Sequence, residues 1–375
     1  MLTLFNISRF IFVFIFLILI SCSNDDQNKS YYTHEQKSNE YDNLNVKTEN
    51  AWYANKLTIQ GKAQGTTFTV KTSNDSLLIS PNELSDFFNS FDQELSTYVD
   101  SSLISRLNSN NLNSITLDKT DYFKTSLSIS RDIFERTNGA FDPTVFPLVK
   151  IWGFFEDPTN PPSDKQIDSV MQHVGFKNQT NYRIDDDKLV KLNDMSSLDF
   201  NAIAQGQSVD EIAALLDKRG QQDYFIEVGG EIKVKGANDR GTDWVIGIDL
   251  PSEENDGSGN TRKLENYLSL SSNAVATSGS YRKFYIRNGE KFSHTIDPKT
   301  GYPVDHNLLS TTVIAKSAAE ADAYATAFMT MGVEKTLEFV DANPDLGLSV
   351  YLLFENSSGK IERAYSEGMD QFFTE

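Results

Sequence analysis

The stretch NAVATSGSYRKFYIRNGEKFSHTIDPKTG, residues 273–301, decides how this chain is read. It joins a loop of small residues to two basic-aromatic strands around an Asn-Gly turn, and it carries a histidine shortly before Asp-Pro. Ala276-Thr277-Ser278-Gly279-Ser280 offers hydroxyls and backbone N–H groups with no bulky side chain in the way. That chemistry suits an anionic or hydrogen-bonding ligand held close to the backbone. Phe284, Tyr285 and Ile286 read as a strand, Asn288-Gly289 as a type I′ turn, and the chain returns through Lys291 and Phe292. The return strand ends at Ser293-His294-Thr295-Ile296-Asp297-Pro298, before Lys299-Thr300-Gly301. Taken alone, an ordinary hairpin with polar loops fits the same residues.

Composition narrows the choices. A chain of 375 residues makes one large domain or two modest ones, and 25 Phe with 15 Tyr support a substantial core. The formal net charge of −19, from 53 acidic and 34 basic residues, repels a phosphate backbone, so nucleic acid is excluded as a partner. An anionic small ligand then needs local help against the protein's own field, from a metal or from aimed N–H groups.

The single cysteine, Cys22, is explained by its position. Arg9 precedes an apolar run from Ile11 to Ile20, shorter than the roughly 20 residues that cross a bilayer. A charged start, a short apolar middle and small residues at the break describe a signal peptide over residues 1–21. Leu19-Ile20-Ser21-Cys22 resembles a bacterial lipobox, in which Cys22 becomes the lipidated first residue. A plain N-terminal anchor is the other reading, and both place the remainder outside the cytoplasm. Residues 22–50 are Asn, Ser, Asp, Lys, Glu and Tyr with almost no aliphatics, the composition of a flexible tether. The expected folded domain is 51–375, held at a membrane of the bacterial cell envelope, on the periplasmic side.

Within that domain, Leu57 to Lys71 alternates as two strands around Gly61 and Gly65. Ser80-Pro81-Asn82-Glu83 is a capping box, and Leu84, Phe87, Phe88, Phe91 and Leu95 follow as a core stripe. A second helix spans about Thr120 to Thr137 and stops at Asn138-Gly139. Gly139-Ala140-Phe141-Asp142-Pro143-Thr144 follows directly, where a flat ligand can approach the backbone and Asp142 can accept its N–H groups; an Asx-capped turn fits equally. Ser163 to Gln166 caps a short helix. Ser197 to Gly206 feeds a further helix, and a polar loop with glycine at a helix N-terminus is an anion seat.

Tyr224–Val228 and Glu231–Lys235 are strands meeting at Gly229-Gly230. Asp243 to Leu250 is another strand, and Pro251 to Arg262 a polar loop. After the hairpin come strand Ser310 to Ala315 and a helix begun by Ser317-Ala318-Ala319-Glu320, again a capping box. Asp322 and Thr326 stand four residues apart and share one helix face. A carboxylate and a hydroxyl on an alanine-rich face suit a small hard cation, which takes oxygen ligands. An acid favoured by the helix dipole and a threonine bonded to its own turn describe the same pair without a metal. Leu348 to Phe354 and Ile361 to Tyr365 close the chain as a hairpin.

In this order the motifs resemble the ApbE-type FAD:protein FMN transferases, from about Gly65 to Gly332. They are Gly65-Thr66-Thr67, Ser96-Thr97-Tyr98, Gly139 to Thr144, Trp152-Gly153, Asp199 to Gly206, Val228-Gly229-Gly230, Ala276 to Gly279, His294 to Gly301 and Ala321 to Ala327. The resemblance implies an α+β (mixed α/β) domain, with mixed β-sheets flanked by helices, that binds FAD and Mg²⁺. It cleaves the pyrophosphate and attaches FMN through a phosphoester to a Thr or Ser of a target protein, releasing AMP. The expected acceptor is an extracytoplasmic subunit of a membrane redox complex.

Carried over residue by residue, the resemblance implies a metal site of Asp322, Ala325, Thr326 and the Ala202 carbonyl. Phe68, Tyr98, Ala140, Phe141, Asp142, Asp199, Gln205 and Ile296 would contact FAD, and His294 would be the base for the acceptor hydroxyl. Three departures stand out: Gln205 where the family usually has Lys, Phe68 for a frequent Met, and Thr295 after His294. The first removes a positive contact to the ligand. Two alternatives use the same residues: a Mg²⁺-dependent FAD pyrophosphatase, with water in place of the protein hydroxyl, and a lipid-anchored flavin-binding protein without turnover.

Overall fold

Alternation of apolar and polar residues sets the first strands, β1 (Ala51–Ala54), β2 (Thr58–Ala63) and β3 (Thr66–Lys71). The structure, a computed structural model, describes residues 51–73, 76–154, 161–176, 180–185, 187–251, 263–280, 284–287 and 290–374. The expected leader, lipidated Cys22 and tether therefore fall outside the described residues, as does almost all of the loop from Pro251 to Arg262. Gln64 and Gly65 join β2 to β3 with φ of 53° and 73°. Two consecutive left-handed residues are the signature of a type I′ hairpin. Gly61, expected near a turn, instead pairs with Phe68 inside the ladder.

The capping box forms as the sequence predicts. Ser80 N–H donates to Glu83 Oε2 at 2.9 Å, and Glu83 N–H to Ser80 Oγ at 3.3 Å. This starts helix α1 (Pro81–Leu95), whose Leu84, Phe87, Phe88, Phe91 and Leu95 are all buried. Helix α2 (Leu103–Asn108) and strand β4 (Ser114–Thr116) follow. Helix α3 (Phe123–Arg136) ends with Asn138 and Gly139 left-handed, as expected of that pair. Its N-terminus has no side-chain cap of its own. Glu94 of α1 serves instead, accepting from the N–H groups of Asp121, Tyr122 and Phe123 at 3.1, 3.0 and 2.8 Å.

The chain continues through α4 (Phe146–Ile151), α5 (Asp164–Met171), β5 (Tyr182–Asp185), β6 (Lys188–Lys191) and α6 (Ala204–Lys218). Strands β7 (Tyr224–Val228), β8 (Glu231–Lys235), β9 (Trp244–Asp249), β10 (Leu264–Leu270) and β11 (Ala274–Gly279) come next. The hairpin strands are β12 (Phe284–Arg287) and β13 (Glu290–Ser293), paired antiparallel with Phe284 opposite Ser293. The Asn288-Gly289 turn is outside the described residues. The rest is β14 (Leu308–Ala315), α7 (Ala318–Met331), α8 (Val333–Ala342), β15 (Ser349–Glu355) and β16 (Ile361–Tyr365).

Nine strands form one sheet in the order β1-β2-β3-β7-β8-β11-β14-β15-β16, every pairing antiparallel. The fold is α+β, with both faces of the sheet covered. Along the central strands successive residues enter different cores. Ala274 and Ala276, Val313 and Ala315, Val350 and Leu352 face the helices. Val275, Ile314, Tyr351 and Leu353 join Trp244, Ile246 and Leu268 of the β9–β10 pair. The period of two has turned one apolar run into two buried faces. A third core gathers Leu148, Trp152, Ile167, Val174 and Ile296.

One expectation is corrected. Ala276 to Ser280 is not a free ligand loop, because Ala274–Gly279 is strand β11, paired with β14 and, at its start, with β8. Its small residues let α7 pack closely over the sheet, and its ladder engages N–H groups that the loop reading left for a ligand. Glu94→Ala removes one carboxylate from three backbone donors, and we expect a loss of about 1–2 kcal/mol in urea unfolding. An unchanged midpoint would show that solvent caps α3 equally well.

Candidate active site

Four chain segments distant in sequence meet where α6 and α7 begin. Helix α6 starts without a side-chain cap, its N-cap position being Ile203. The Gly206 N–H, which a regular helix would direct at the carbonyl of Ala202, instead donates to Asp322 Oδ2 of α7 at 3.2 Å. This approach needs glycine: a Cβ at position 206 would stand 2.3 Å from the Ala318 carbonyl oxygen and 2.9 Å from Ala319 Cα. The predicted anion seat at the α6 N-terminus thus holds the protein's own carboxylate.

Asp322 is 6% exposed, and burial pushes its carboxyl up to about 7, opposed only by the Gly206 N–H. One turn on, Thr326 Oγ1 is 3.5 Å from Ser278 Oγ of β11. Helix α7 is buried on nearly every side, which its alanines permit beside β11, β14 and α6. Its start is fixed by Asp210 of α6. That carboxylate pairs with Lys233 at 2.6 Å and accepts from Ser317 Oγ at 2.8 Å and Ala319 N–H at 2.9 Å. The predicted capping box is accordingly half formed: Ser317 Oγ accepts from Glu320 N–H, while its proton goes to Asp210.

The other acidic motifs come together through backbone. Asp199 N–H donates to the Pro143 carbonyl at 2.7 Å, joining the loop before α6 to the loop after α3. Asp142 is 6% exposed, and its Oδ1 accepts from Thr144 N–H at 2.8 Å and Thr144 Oγ1 at 2.6 Å. Burial raises its carboxyl to about 6 despite both bonds. Asp199 accepts from Asn201 N–H at 2.7 Å, and burial pushes it to about 6 as well. Asn201 Nδ2 reaches Thr97 Oγ1 at 3.4 Å, and the neighbouring Tyr98 is 73% exposed, a ring open to an incoming ligand.

The segment after β13 docks on the helices that follow Asp142. Trp152 Nε1 donates to the Gly301 carbonyl at 2.7 Å, and Ile296 is buried beside Leu148 and Trp152. Gly301 is left-handed, and a Cβ there would stand 2.6 Å from Ile167. His294 is half-buried with its ring centroid 6.5 Å from that of Phe154. The expected contacts at Ala140 and Phe141 are buried, each 3% exposed, so they meet a ligand only through backbone. Phe68 is likewise 1% exposed, its ring centroid 4.9 Å from Phe88 on the face turned to α1, so it too meets a ligand only through backbone.

Sequence reading missed Gln64. Its Oε1 accepts from Ser208 Oγ at 3.3 Å, and its buried Nε2 has no partner among the described residues. Gln205 lies against the double glycine, since a Cβ on Gly229 would meet its amide at 2.7 Å. The Tyr182 hydroxyl is buried without a partner among the described residues, and burial and the charge of Asp142 both raise it. No local pattern marks Gln64 or Tyr182, whereas Gln205 was expected at the site. A cavity of about 570 Å³ between α3 and the β5–β6 pair contains none of the expected site residues and mixes Arg131 and Arg183 with Glu135 and Asp185. We place the chemistry at the buried carboxylates instead.

A hard cation fits the donors at the crossing. No hydrogen bond of the described residues ends on the Ala202 carbonyl, because Gly206 N–H has turned to Asp322. That oxygen, the Asp322 carboxylate and the Thr326 hydroxyl are the oxygen ligands such an ion prefers. Ala325, fully buried in α7, adds no side-chain oxygen. Among the described residues no group of three His, Cys, Asp or Glu could hold a metal, so a metal here relies on backbone and hydroxyl donors beside Asp322.

Comparison with known proteins gives a consistent answer. A sequence model of the ApbE family matches residues 64–351. The FAD:protein FMN transferase of Haemophilus influenzae is 32% identical over 321 residues, 83% of this chain and 90% of that protein. The Escherichia coli K12 protein of the same name is 35% identical over 272 residues, 70% of this chain and 73% of its own length. Among solved structures, flavin transferase ApbE from Vibrio cholerae superposes with a TM-score of 0.71 at 29% identity, covering 86% of this chain and all of that one, 100%. The apo Pseudomonas stutzeri flavinyl transferase ApbE gives a TM-score of 0.72 at 30% identity, covering 84% and 96%.

Two outcomes are expected. Gly206→Ala forces α6 and α7 apart and costs about 1–3 kcal/mol in urea unfolding, with Gly220→Ala, a left-handed position open to solvent, losing less. Asp142 binds its proton more tightly when folded, so without ligand it contributes less stability as pH rises from the ordinary 3.8 past about 6. Asp142→Asn flattens this decline by on the order of 2–3 kcal/mol, measured as urea midpoints across that range. A parallel pH profile for the variant would contradict a raised carboxyl.

Proposed function

This chain belongs to the ApbE family, and on that premise we propose that it is an FAD:protein FMN transferase. The observation that carries the reading is the turn of the Gly206 N–H to Asp322, which leaves the Ala202 carbonyl beside a buried carboxylate. Phosphoryl transfer asks a protein for positioning and charge neutralisation rather than a covalent group, and this arrangement supplies both.

The acceptor oxygen forms a bond to the phosphorus of the FMN half of FAD. The bond between that phosphorus and the bridging oxygen breaks, and AMP leaves with the oxygen. His294 takes the proton of the acceptor Thr or Ser hydroxyl, a transfer imidazole performs near neutral pH. Tyr98 offers an exposed ring for stacking, and Asp142 and Asp199, beside each other through the Pro143–Asp199 bond, accept N–H groups of the flavin or its nucleotide. The Ala202 carbonyl, Asp322 and Thr326 would hold Mg²⁺, which would supply charge neutralisation for the pyrophosphate. Ile296 fixes the strand that presents His294. Gln205, against Gly229, brings no charge to the site, while the Phe68 ring supports the sheet.

The position of the protein in the cell belongs to this reading too. Lipidated Cys22 anchors it to an envelope membrane, residues 23–50 hold the domain off the surface, and the acceptor is an extracytoplasmic redox subunit. Incubating the domain with FAD, Mg²⁺ and an acceptor fragment should add one FMN phosphoester to the acceptor, read by intact mass. Asp322→Ala and His294→Ala should each reduce the labelling rate by at least about 100-fold. FMN and AMP released without labelling would favour a pyrophosphatase, and intact FAD would favour a binding protein.

A further inference from the structure

Asp142 and Asp199 stand near each other through the Pro143–Asp199 bond, and a third carboxylate, Asp322, lies at the α6–α7 crossing, in a chain of net charge −19, yet the substrate is a dianionic pyrophosphate. Gln205 contributes no charge, so a second source of positive potential is needed. Lys191 cannot be that source. Its ammonium is engaged by the carbonyls of Leu107 and Asn108 at 3.0 and 3.3 Å and by Asn110 Oδ1 at 2.6 Å.

Lys150 differs in every respect. It is exposed on α4, the helix that follows directly from Asp142-Pro143-Thr144. Its Nζ stands 4.5 Å from the centre of the Phe146 ring, one turn back on the same face. That contact holds the ammonium over the end of α4 nearest the Pro143–Asp199 bond. No carboxylate lies within ion-pair distance of it among the described residues. Its charge adds the smallest of the influences on the Asp199 carboxyl, toward the ionised form, and opposes the charge on Lys191. A cation without a carboxylate partner among the described residues, on the helix that follows Asp142, is suited to an anion that the nearby acids would otherwise repel.

We propose that Lys150 is a substrate-binding residue whose ammonium, seated on Phe146, meets the pyrophosphate of FAD beside Asp199. The assignment rests on the transferase reading above. It predicts that recognition of the phosphates, and not of the flavin ring, depends on residue 150.

The test is equilibrium binding of FAD and of riboflavin, followed by flavin fluorescence, to the wild type, Lys150→Gln and Lys150→Arg. Lys188→Gln, an exposed lysine on β6, is the control for loss of one charge. Lys150→Gln should weaken FAD binding about threefold to fivefold and lessen its salt dependence, the range of a partly exposed ion pair. Riboflavin affinity should not move, Lys150→Arg should retain FAD affinity, and Gln205→Lys added to Lys150→Gln should restore it. Equal FAD affinities for wild type and Lys150→Gln would overturn the assignment alone. So would a parallel loss for riboflavin, which would mark Lys150 as packing on Phe146. A wild type that binds no FAD would overturn the transferase reading and this assignment with it.

Discussion

The crossing of α6 and α7 is the constraint on which the rest depends. Gly206 allows the two helices to approach until its N–H meets the Asp322 carboxylate, and the missing Cβ is what makes room for the Ala318 carbonyl. Asp210 locks the same crossing one turn further along, by joining Lys233 of the sheet to the first turn of α7. With that contact in place, the alanines of α7 lie flat on β11 and β14, and Thr326 reaches Ser278. Any larger residue at the crossing would separate the donor set before it altered the sheet.

Burial gives the site its electrostatic character. Asp142, Asp199 and Asp322 are each held above the ordinary carboxylate range mainly by lost solvation, with hydrogen bonds from Thr144, Asn201 and Gly206 opposing it. Carboxyls raised in this way are poised to exchange a proton for a cation or a ligand N–H near neutral pH. In a strongly acidic protein the same arrangement makes every nearby cation consequential. Lys191 is consumed in closing α2, whereas Lys150 is exposed on α4 with its ammonium on the Phe146 ring.

Much of this was legible in the chain. The capping box at Ser80, the aromatic stripe of α1, the stop at Asn138-Gly139 and the strands around Gly229-Gly230 all have local causes, and all form where expected. The order of short motifs pointed to the ApbE family because several weak signals in one sequence exclude coincidence better than one strong signal. Ala276 to Ser280 was misread for an equally physical reason. Small hydroxyl residues serve a loop and a closely packed central strand alike, and only the partner strand β14 distinguishes them.

What the sequence determined by itself was therefore the set of parts: the helices with their caps, the alternating strands, the acidic balance and the motifs that carry the family. These follow from interactions within a few residues, or from composition. Tertiary structure alone decided that Gly206 N–H leaves Ala202 for Asp322, that Pro143 binds Asp199, and that the Phe68 ring packs on Phe88. It also buried the Gln64 amide beside Ser208, which no local pattern marks. Such choices depend on which surfaces meet across more than a hundred residues of chain, and a hydrogen bond or a steric contact between distant segments leaves no periodicity in the sequence.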